Sequence, residues 1–487
     1  IDRIEKQLAT SDAPAMVARL SDDSMRYLRS RLAARYGKGH KRPIFQHITP
    51  ELLKEYPVVL STTFSSRSNF RAETLFDYVI MDEASQVSSE TGALALMCAR
   101  NAVIVGDSMQ LPNVITDADR LRMQAIAAKH AIDPRYDCAA LSFLESVCRV
   151  FPEAPQTLLR EHYRCHPKII NFCNQRFYGG RLLIMTEDHG EPDVITAWRT
   201  APGHHARGAF NPREIETIRR EMLPSLPCEP AEIGIISPYN EQVNALHREL
   251  GGGIDVATVH KFQGREKEAI ILSTVDDQIT AFTDDPNLLN VAVSRAKRQF
   301  TLVTSSNEQP DSRNIADLLA YIDYNGGKIT ESAIHSVFDL LYEPYAEARR
   351  EFLKRHRRIS EFDSENLTYA LLERVLEADP AFRHLGVLCH QPLRQLIRDW
   401  TILDDEERRY ALNGATHLDF LIYNRVSKRP VLAIETDGYQ FHKQGTRQSE
   451  RDRMKDRILD RYSLPLLRLS TTGTDEEAKI HTLLKRN

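Results

Sequence analysis

The chain has 487 residues, enough for roughly three or four domains that each bury a core. It is 42% hydrophobic and 27% charged with a net charge of −4, and it contains no apolar run of about 18 residues, which excludes a membrane-spanning helix. The seven cysteines form no CxxC pair, which argues against a zinc site or iron–sulfur cluster and is typical of a reducing cytoplasm.

The first 310 residues predict two α/β domains behind a helical segment. Residues 1–55 are charged, and their apolar side chains recur at helical spacing. From residue 57 onward, short apolar runs predict buried parallel strands that alternate with helices. These runs are PVVLSTT (57–63), DYVIMDE (77–83), NAVIVGD (101–107), IGIISP (233–238), AIILSTV (269–275) and FTLVTS (300–305). They predict doubly wound parallel sheets within residues 56–150 and 151–310.

The remaining residues predict a linker and a third domain. Residues 311–360 lack the strand pattern and include the basic run ARREFLKRHRR (348–358), so we expect a helical linker there. Residues 361–487 predict a separate α/β domain. Its expected elements are a helix from about Glu365 to Ala378, strands at 416–424, 430–438 and 465–470, and a charged helix at 447–462.

Acidic residues follow the second predicted strand. Asp82 and Glu83 end the run DYVIMDE, at the edge of the sheet where α/β proteins bind ligands. In a nucleotide hydrolase, one carboxylate of such a pair holds Mg²⁺ through water and the other polarises the attacking water.

Amide, arginine and acidic side chains occur in four later motifs. Gln110 lies in VGDSMQLP, Arg164 in YRCHP, Gln263 and Glu266 in VHKFQGRE, and Arg295 in NVAVSRAK. Glutamine can sense a γ-phosphate or orient water, and arginines neutralise the charge that builds up during phosphoryl transfer.

In this order, these motifs resemble those of superfamily 1 helicases, especially the branch with the nonsense-mediated-decay helicase and the Dna2-type nuclease–helicases. The resemblance covers residues 56–310 and implies two RecA-like domains, the first one partial, with ATP between them and 5′ to 3′ movement on single strands. It also implies that Asp82 serves the metal, that Glu83 is the catalytic base, and that Glu266 lies near the ribose. Three side chains would contact the γ-phosphate: Gln110, Arg164 and Arg295. The implied nucleic-acid contacts are Ser61, Thr62, Thr63, Ser237, Pro238, Tyr239, His260 and Lys261.

One motif of that family is missing. A phosphate loop of the form GxxxxGK[ST] cradles the phosphates with its backbone N–H groups, and its lysine reaches the β and γ oxygens. The only Gly-Lys before the DEAS motif is Gly37-Lys38, which is followed by Gly39. Because the chain starts at Ile1, we expect residues 1–55 to be the remnant of a helical stalk. We expect a preceding segment or a partner chain to supply the loop, and no significant ATPase activity from this chain alone.

The third domain carries a second set of acids. Asp419 lies in the strand HLDFLIYN, and Glu435 and Asp437 lie two residues apart in AIETDG, so these two share one face of a strand. A hairpin would bring Asp419 beside them, and three converging carboxylates predict a Mg²⁺ or Mn²⁺ site. His442 follows closely as a candidate acid or base. The alternative is an edge hairpin with ordinary surface acids.

This segment resembles the PD-(D/E)XK nucleases, which have a restriction-endonuclease-like fold, and most of all their very-short-patch-repair branch. The resemblance implies that Asp419 is the main metal ligand, with Glu435 as its companion and Glu365 as an accessory acid. Asp437 replaces the usual lysine of the E-x-K motif, which puts activity in doubt. Lys455 is a candidate substitute because Asp452, Lys455 and Asp456 share one face of the charged helix, although a solvated face packed through Met454, Ile458 and Tyr462 also explains most of its charges.

The combined prediction is an ATP-dependent helicase fused to a metal-dependent endonuclease. Single-stranded or branched DNA is the expected partner, and RNA is less favoured because no aromatic ribonucleoprotein motif occurs. The alternatives are an ATP-dependent remodeller whose last domain only binds DNA, and an RNA helicase. By analogy we expect a bacterial, cytoplasmic and nucleoid-associated protein in DNA repair or phage defence.

Overall fold

A computed structural model describes residues 12–36, 53–54, 56–69, 74–342, 345–437 and 447–486. The chain divides into two compact units. The first consists of Ile1–Ser108 and Pro112–Ala154, and the second of Met109–Leu111 and Pro155–Asn487. In the part of the chain that the structure describes, no helix is long and apolar enough to cross a membrane.

The first unit has a two-stranded parallel sheet among its described residues. Strands β1 (Phe76–Met81) and β2 (Ala99–Ile104) pair in register from Phe76 with Ala99 to Met81 with Ile104. The helices are α1 (Ala13–Tyr36), α2 (Thr63–Ser66), α3 (Ser89–Leu96), α4 (Asp117–His130) and α5 (Phe143–Val150).

Two expectations for the first unit were wrong. Residues 57–62 of the predicted strand PVVLSTT have no strand partner among the described residues, and Thr63 begins α2. The sheet is also less buried than the apolar runs predict, since Tyr78 and Ile80 are exposed and Met81 is buried.

The second unit begins with a six-stranded sheet in the order β10-β5-β9-β8-β6-β7, in which every pairing is parallel. These strands are β5 (Ile195–Thr200), β6 (Ile233–Ser237), β7 (Asp255–Thr258), β8 (Lys267–Ser273), β9 (Ala296–Ser305) and β10 (Ile329–Glu331), preceded by the short pair β3 (Glu161–His162) and β4 (Leu183–Ile184). The helices are α6 (Pro167–Phe177), α7 (Pro212–Thr217), α8 (Asn240–Leu250), α9 (Val259–Phe262), α10 (Pro286–Val293) and α11 (Asn314–Tyr324). Apolar clusters form on this sheet, one with Phe262 and Phe300 and another with Ile235 and Leu246. This is the RecA-like α/β fold that the strand pattern predicts.

The predicted helical linker at 311–360 needs correction. Helix α11 packs into the apolar cluster of the six-stranded sheet, and β10 is an edge strand of that sheet, so this domain extends to Glu331. A 3₁₀ turn at Val337–Leu341 already belongs to the next core through Phe338. Of the predicted linker, α12 (Ala346–Arg355) is helical as expected.

The C-terminal domain has a four-stranded sheet in the order β11-β12-β13-β14. Strands β11 (Leu385–Pro392), β12 (His417–Asn424) and β13 (Pro430–Asp437) are antiparallel neighbours, and β14 (Leu466–Ser470) is parallel to β13. The helices are α13 (Asp363–Ala378), α14 (Asp405–Leu412), α15 (Arg447–Arg461) and α16 (Glu476–Arg486). The last three strands and both predicted helices are confirmed. Strand β11 was not predicted, because Gly386, Cys389 and His390 interrupt its apolar residues.

Candidate functional site

The acids of the DEAS motif lie where β1 ends. Asp82 and Glu83 follow the buried Met81 directly, and the neighbouring strand β2 brings Gly106 alongside. A Cβ at Gly106 would lie 3.1 Å from the backbone nitrogen atoms of Ala84 and Ser85, so the two strand ends are closely packed. Both acids are exposed.

Glu83 has a left-handed backbone with φ 52°. This conformation is uncommon outside glycine, asparagine and aspartate, and such strain concentrates at functional positions. The Glu83 carboxylate accepts a hydrogen bond from Nε2 of Gln86 at 2.9 Å, which fixes its direction.

A charged cluster in the second unit joins three of the predicted motifs. Arg164 Nε lies 2.5 Å from Glu266 Oε2, and Lys297 Nζ lies 2.9 Å from Glu266 Oε1. The hydrogen bond from Lys297 lowers the pKa of Glu266 below its usual value. Burial, with the charges of Arg164 and Arg295, lowers the pKa of His162 to about 4. Lys297 was not singled out from the sequence, although it ends the motif NVAVSRAK that supplied Arg295.

The two predicted glutamines lie together in the second unit. Gln263 Nε2 is 3.5 Å from Gln110 Oε1, and Asn287 Nδ2 donates to the Gln110 carbonyl at 2.8 Å. The buried Arg295 donates from Nε to the Val291 carbonyl at 3.2 Å, so its guanidinium is oriented by the preceding helix α10. Within the second unit, the structure therefore pairs Gln110 with Gln263 and Arg164 with Glu266.

The predicted nucleic-acid contacts differ in their exposure. Thr62 caps α2 by accepting from the Ser65 backbone N–H at 3.2 Å, and Ser61 donates to the Thr62 carbonyl. Thr63 begins that helix, and its side chain is partly buried. In the second unit, His260 and Lys261 are exposed on α9, at the carboxyl end of β7.

The three predicted contacts at the end of β6 are less exposed. Ser237 and Pro238 are buried, because β6 is an inner strand of the sheet, so their side chains do not face solvent. Tyr239 is partly exposed, and its hydroxyl donates to Asp276 Oδ1 at 2.9 Å.

The hairpin of β12 and β13 brings two of the three C-terminal acids together. Phe420 pairs with Ile434, so Asp419 and Glu435 are the next residues of the two strands. The Asp419 backbone N–H is 3.4 Å from Glu435 Oε1, and the Thr436 backbone N–H donates to Asp419 Oδ2 at 2.8 Å. Two carboxylates in this position fit Mg²⁺, which commonly takes one or two carboxylates and keeps several waters.

Glu435 is the more buried of the two acids, with 6% of its surface exposed. Burial raises its pKa to about 7, Lys455 opposes that rise, and the charge of Asp419 adds to it. The Lys455 ammonium lies 2.7 Å from Glu435 Oε2 and 2.9 Å from the His417 carbonyl oxygen. The predicted approach of Lys455 from the helix is thus present in the structure, and Met454 and Ile458 pack that helix against the sheet as predicted.

The third carboxylate does not join them. Among the described residues, Asp419, Glu435 and Asp437 do not place three ligand atoms within 4.8 Å of one another. Asp437 Oδ1 accepts instead from Arg468 Nη1 at 3.2 Å. The predicted three-carboxylate site is therefore a two-carboxylate site, and Arg468 is a charged neighbour that sequence reasoning missed. The sequence feature that could have revealed Arg468 was its position on β14, which pairs in parallel with β13. His442 lies outside the described residues.

Glu365 lies on α13, and its Oε2 atom is 3.7 Å from His390 Nε2. Buried Glu365 Oε2 has no hydrogen-bond partner among the described residues. Glu365 therefore contacts His390 and is not part of the Asp419–Glu435 pair.

A different group, His166, Asp188 and Glu191, brings three possible ligand atoms within 4.8 Å. The His166 Nδ1 atom accepts from the Lys168 backbone N–H at 3.1 Å, so the neutral ring carries its proton on Nε2. That nitrogen is 3.2 Å from Glu191 Oε2, and Lys168 Nζ is 3.5 Å from Asp188 Oδ2. These contacts form a hydrogen-bonded cap for α6 that a metal at Nε2 would disrupt.

Family models match three segments of the chain. Two models described as AAA domains match residues 17–118 and 139–307, and one described as a protein of unknown function (DUF2726) matches residues 362–486. Similar curated proteins include an uncharacterized ATP-dependent helicase of Methanocaldococcus jannaschii, 27% identical over 54% of this chain and 41% of its own. The DNA replication ATP-dependent helicase/nuclease DNA2 of Gallus gallus is 28% identical over 52% of this chain and 25% of its own.

Over about half of its length, the chain is similar to ATP-dependent helicases. The similarity extends to the DNA polymerase alpha-associated DNA helicase A of Saccharomyces cerevisiae, 28% identical over 50% of this chain and 40% of its own. The chain thus spans less than half the length of each of these curated helicases. Among solved structures, the arterivirus nonstructural protein 10 helicase with DNA matches 50% of this chain and 41% of its own, with a TM-score of 0.28 and 14% identity.

Proposed function

We propose that this chain is part of an ATP-dependent helicase that acts on DNA and carries its own metal-dependent endonuclease. The helicase part is supported by the AAA-domain and helicase similarity of residues 17–307 and by the Arg164–Glu266–Lys297 cluster. Asp82 would hold Mg²⁺ through water, and Glu83 would orient the attacking water. Gln110, Arg164 and Arg295 would contact the phosphates of ATP.

Within this proposal, the present chain does not hydrolyse ATP by itself. No GxxxxGK[ST] sequence occurs in its 487 residues, and the remaining nucleotide-facing side chains cannot replace a cradle of backbone N–H groups. A preceding segment or a partner chain would supply the loop.

One observation carries the nuclease part. Asp419 and Glu435 face each other at the same end of the β12–β13 hairpin, and a buried ammonium lies beside them. Surface acids on an edge hairpin would not be buried with a lysine, because an ion pair removed from water loses solvation. A divalent cation held there would polarise the phosphodiester and activate water. Manganese is a candidate substitute for magnesium, because both prefer oxygen ligands.

The nuclease proposal is tested by nicking of supercoiled plasmid DNA in Mg²⁺. Wild-type chain is expected to nick, and the double variant Asp419→Ala with Glu435→Ala is expected to be inactive. A matched control is Asp460→Ala, which removes an exposed acid of α15. Metal-dependent nicking that survives in the double variant would refute the assigned site. A wild-type chain that binds DNA without cutting it would favour a remodeller whose C-terminal domain only binds DNA.

DNA is favoured over RNA by the helicase relatives, which carry DNA in their names, and by the nuclease-like domain. Equal cutting or tighter binding of single-stranded RNA would overturn that preference.

We also propose a role in bacterial DNA repair or phage defence, in the cytoplasm near the nucleoid. Tethering a nuclease to a motor raises its local concentration at the opened strand.

A further inference from the structure

Residues 346–358 form a basic segment that takes no part in the nucleotide site or in the Asp419–Glu435 pair. Helix α12 and the three residues after it hold six arginines and lysines and two glutamates, a net charge of +4 within a chain whose net charge is −4. Charges of one sign repel each other and destabilise a compact structure unless an anion neutralises them. The fold alone therefore does not explain this concentration of positive charge.

One face of the basic segment packs inward and the other is exposed. Phe352 and His356 are partly buried, and their rings stack with centroids 4.2 Å apart. Arg349 Nη1 donates to the Leu341 carbonyl at 2.8 Å, and its Nε lies 3.6 Å from Asp363 Oδ2, so this arginine is held against the domain. The exposed charged side chains of the segment are Glu347, Arg350, Glu351, Lys354, Arg355, Arg357 and Arg358.

Three of the exposed arginines have no carboxylate partner. Glu351 lies 2.8 Å from Lys354 and is the acid on α12 that forms an ion pair. For Arg350, Arg355 and Arg357, the described residues place no carboxylate oxygen within 4.0 Å of a guanidinium nitrogen. The planar guanidinium matches a phosphate with two parallel N–H donors, so these side chains are suited to phosphates from solution.

The end of the basic segment is fixed against β11. The Ile359 backbone N–H donates to Asn366 Oδ1 of α13 at 2.8 Å, and the Ile359 carbonyl oxygen is 3.4 Å from His390 Nε2 of β11. Burial raises the pKa of the Cys389 thiol, and the positive charge of Arg357 opposes that rise, which places this guanidinium near β11 as well. The segment therefore ends alongside this strand.

Strand β11 pairs with the strand that carries Asp419. The residues on either side of His390 pair with Leu418 and Phe420, so His390 lies opposite Asp419 in the register. Arg394, exposed in the turn that follows β11, lies at the same end of the sheet. Exposed positive charge is thus present one strand away from the proposed metal ligands.

We propose that the exposed arginines of the basic segment bind the phosphates of double-stranded DNA and hold the duplex beside Asp419 and Glu435. This inference rests on the proposed nuclease function. A duplex carries one negative charge per about 1.7 Å of its axis, so a row of arginines on a rigid helix contacts several phosphates at once. Such contacts fix the position and orientation of a duplex without reading its bases.

The basic segment fits a duplex better than a single strand. Proteins that bind single strands without sequence preference stack the bases on aromatic side chains. The exposed side chains of residues 346–358 include no aromatic ring, because Phe352 and His356 are partly buried and stack on each other. Phosphate contacts alone are what this surface offers.

Fluorescence anisotropy of a labelled DNA duplex with the full 487-residue chain tests the proposal over a range of salt concentrations. EDTA in the buffer keeps binding separate from cutting. The triple variant Arg350→Gln, Arg355→Gln and Arg357→Gln is expected to lower the slope of log affinity against log salt by about 2.7, since each lost phosphate contact removes about 0.9. Lysine at the same three positions keeps the charge and is expected to keep most of the wild-type slope.

A matched control removes three exposed arginines at the opposite end of the same sheet. Arg383 lies before β11, and Arg425 and Arg429 lie in the turn between β12 and β13. Changing all three to glutamine alters the net charge by the same amount and is expected to leave the slope unchanged. Thermal unfolding is measured for every variant. Single variants, each expected to lower the slope by about 0.9, replace a triple variant that does not fold.

Plasmid nicking in Mg²⁺ gives a second measurement. The triple glutamine variant at positions 350, 355 and 357 is expected to need about tenfold more DNA for half-maximal nicking, with an unchanged maximal rate. A wild-type slope in this variant, or an equal loss in the control, would overturn the proposed surface and leave the nuclease proposal intact. A slope that falls for single-stranded DNA but not for the duplex would also overturn it. A wild-type chain that binds the duplex through these arginines and does not nick plasmid refutes the nuclease and upholds the surface.

Discussion

Arg213 and Asp339 form a buried, two-pronged ion pair that joins the six-stranded-sheet domain to the C-terminal domain. The Nη1–Oδ2 distance is 3.1 Å and the Nη2–Oδ1 distance is 2.8 Å, and the side chains are only 3% and 6% exposed. Arg213 lies in α7, and Asp339 lies in the 3₁₀ turn whose Phe338 enters the C-terminal core. The connection between the two domains is thus a fixed contact.

We predict that Arg213→Met lowers the free energy of unfolding by about 3–5 kcal/mol, because it leaves the buried Asp339 carboxylate without its partner. Urea denaturation of the chain measures this. In the double variant Arg213→Met with Asp339→Leu, much of the loss is expected to return, since no buried charge is left unpaired.

Arg219→Met is the matched control for that prediction. Arg219 pairs with Glu216 at 2.9 Å, but the arginine side chain is 42% exposed, so its loss should change stability by less than about 1 kcal/mol. An Arg213→Met effect as small as that of Arg219→Met would contradict the fixed contact.

Glu214 makes stability depend on pH. This fully buried carboxyl accepts from Ser273 Oγ at 2.5 Å and from the Val275 backbone N–H at 3.0 Å, yet burial raises its pKa from 4.5 to about 8. Between about pH 4.5 and 8, the folded protein therefore holds a proton that the unfolded chain has lost. The stabilising contribution of the protonated Glu214 carboxyl is complete below about pH 4.5 and is lost as the pH rises through about 8. Over that range the free energy of unfolding falls by up to about 1.4 kcal/mol per pH unit.

We expect Glu214→Gln to flatten the stability profile over that pH range, as measured by denaturant midpoints at closely spaced pH values. Glu249→Gln, which changes an exposed carboxyl of α8, should leave the slope unchanged. If Glu214→Gln keeps the wild-type slope, another group is responsible for it.

The chain alone should release no phosphate from ATP above background, with or without single-stranded DNA. Its exposed acids and its arginines lack the phosphate loop that would hold the nucleotide. Phosphate release is measured beside Glu83→Gln as the control. DNA-stimulated turnover that Glu83→Gln abolishes would show that the chain is a complete ATPase.

Lys261 should contribute one phosphate contact to single-stranded DNA binding. We expect Lys261→Ala to weaken binding uniformly across sequences and to reduce the slope of log affinity against log salt by about 0.7. The control is Lys328→Ala, since Lys328 is exposed before β10, at the opposite edge of the same parallel sheet. Equal salt slopes for Lys261→Ala and the wild type would remove Lys261 from the interface.

The hydrophobic pattern of the sequence predicted those strands that lie inside a sheet and are continuously apolar. Strands β6, β8 and β9 are continuous apolar runs because both of their faces are covered. Strands β5, β10 and β11 were harder to predict, since they carry polar residues or glycine among their apolar ones. The segment 57–62 was predicted as a strand from its β-branched residues, but pairing depends on a neighbour that local sequence does not specify.

The candidate site was predictable to the extent that its residues share one strand or one helix. The face shared by Glu435 and Asp437 and the approach of Lys455 followed from strand and helix periodicity. The partners that decide each residue's role come from other elements. Arg468 pairs with Asp437, and both Lys297 and Arg164 pair with Glu266. No local sequence pattern specifies these contacts.

Calorimetric titration of the metal-free chain with Mg²⁺ is the most direct test of a cation held by Asp419 and Glu435. We predict a binding isotherm in the wild type that is lost in both Asp419→Asn and Glu435→Gln and is retained in Asp188→Asn, which alters the His166 cluster. An isotherm that persists unchanged in Asp419→Asn and Glu435→Gln would contradict the metal site, and with it the proposed nuclease.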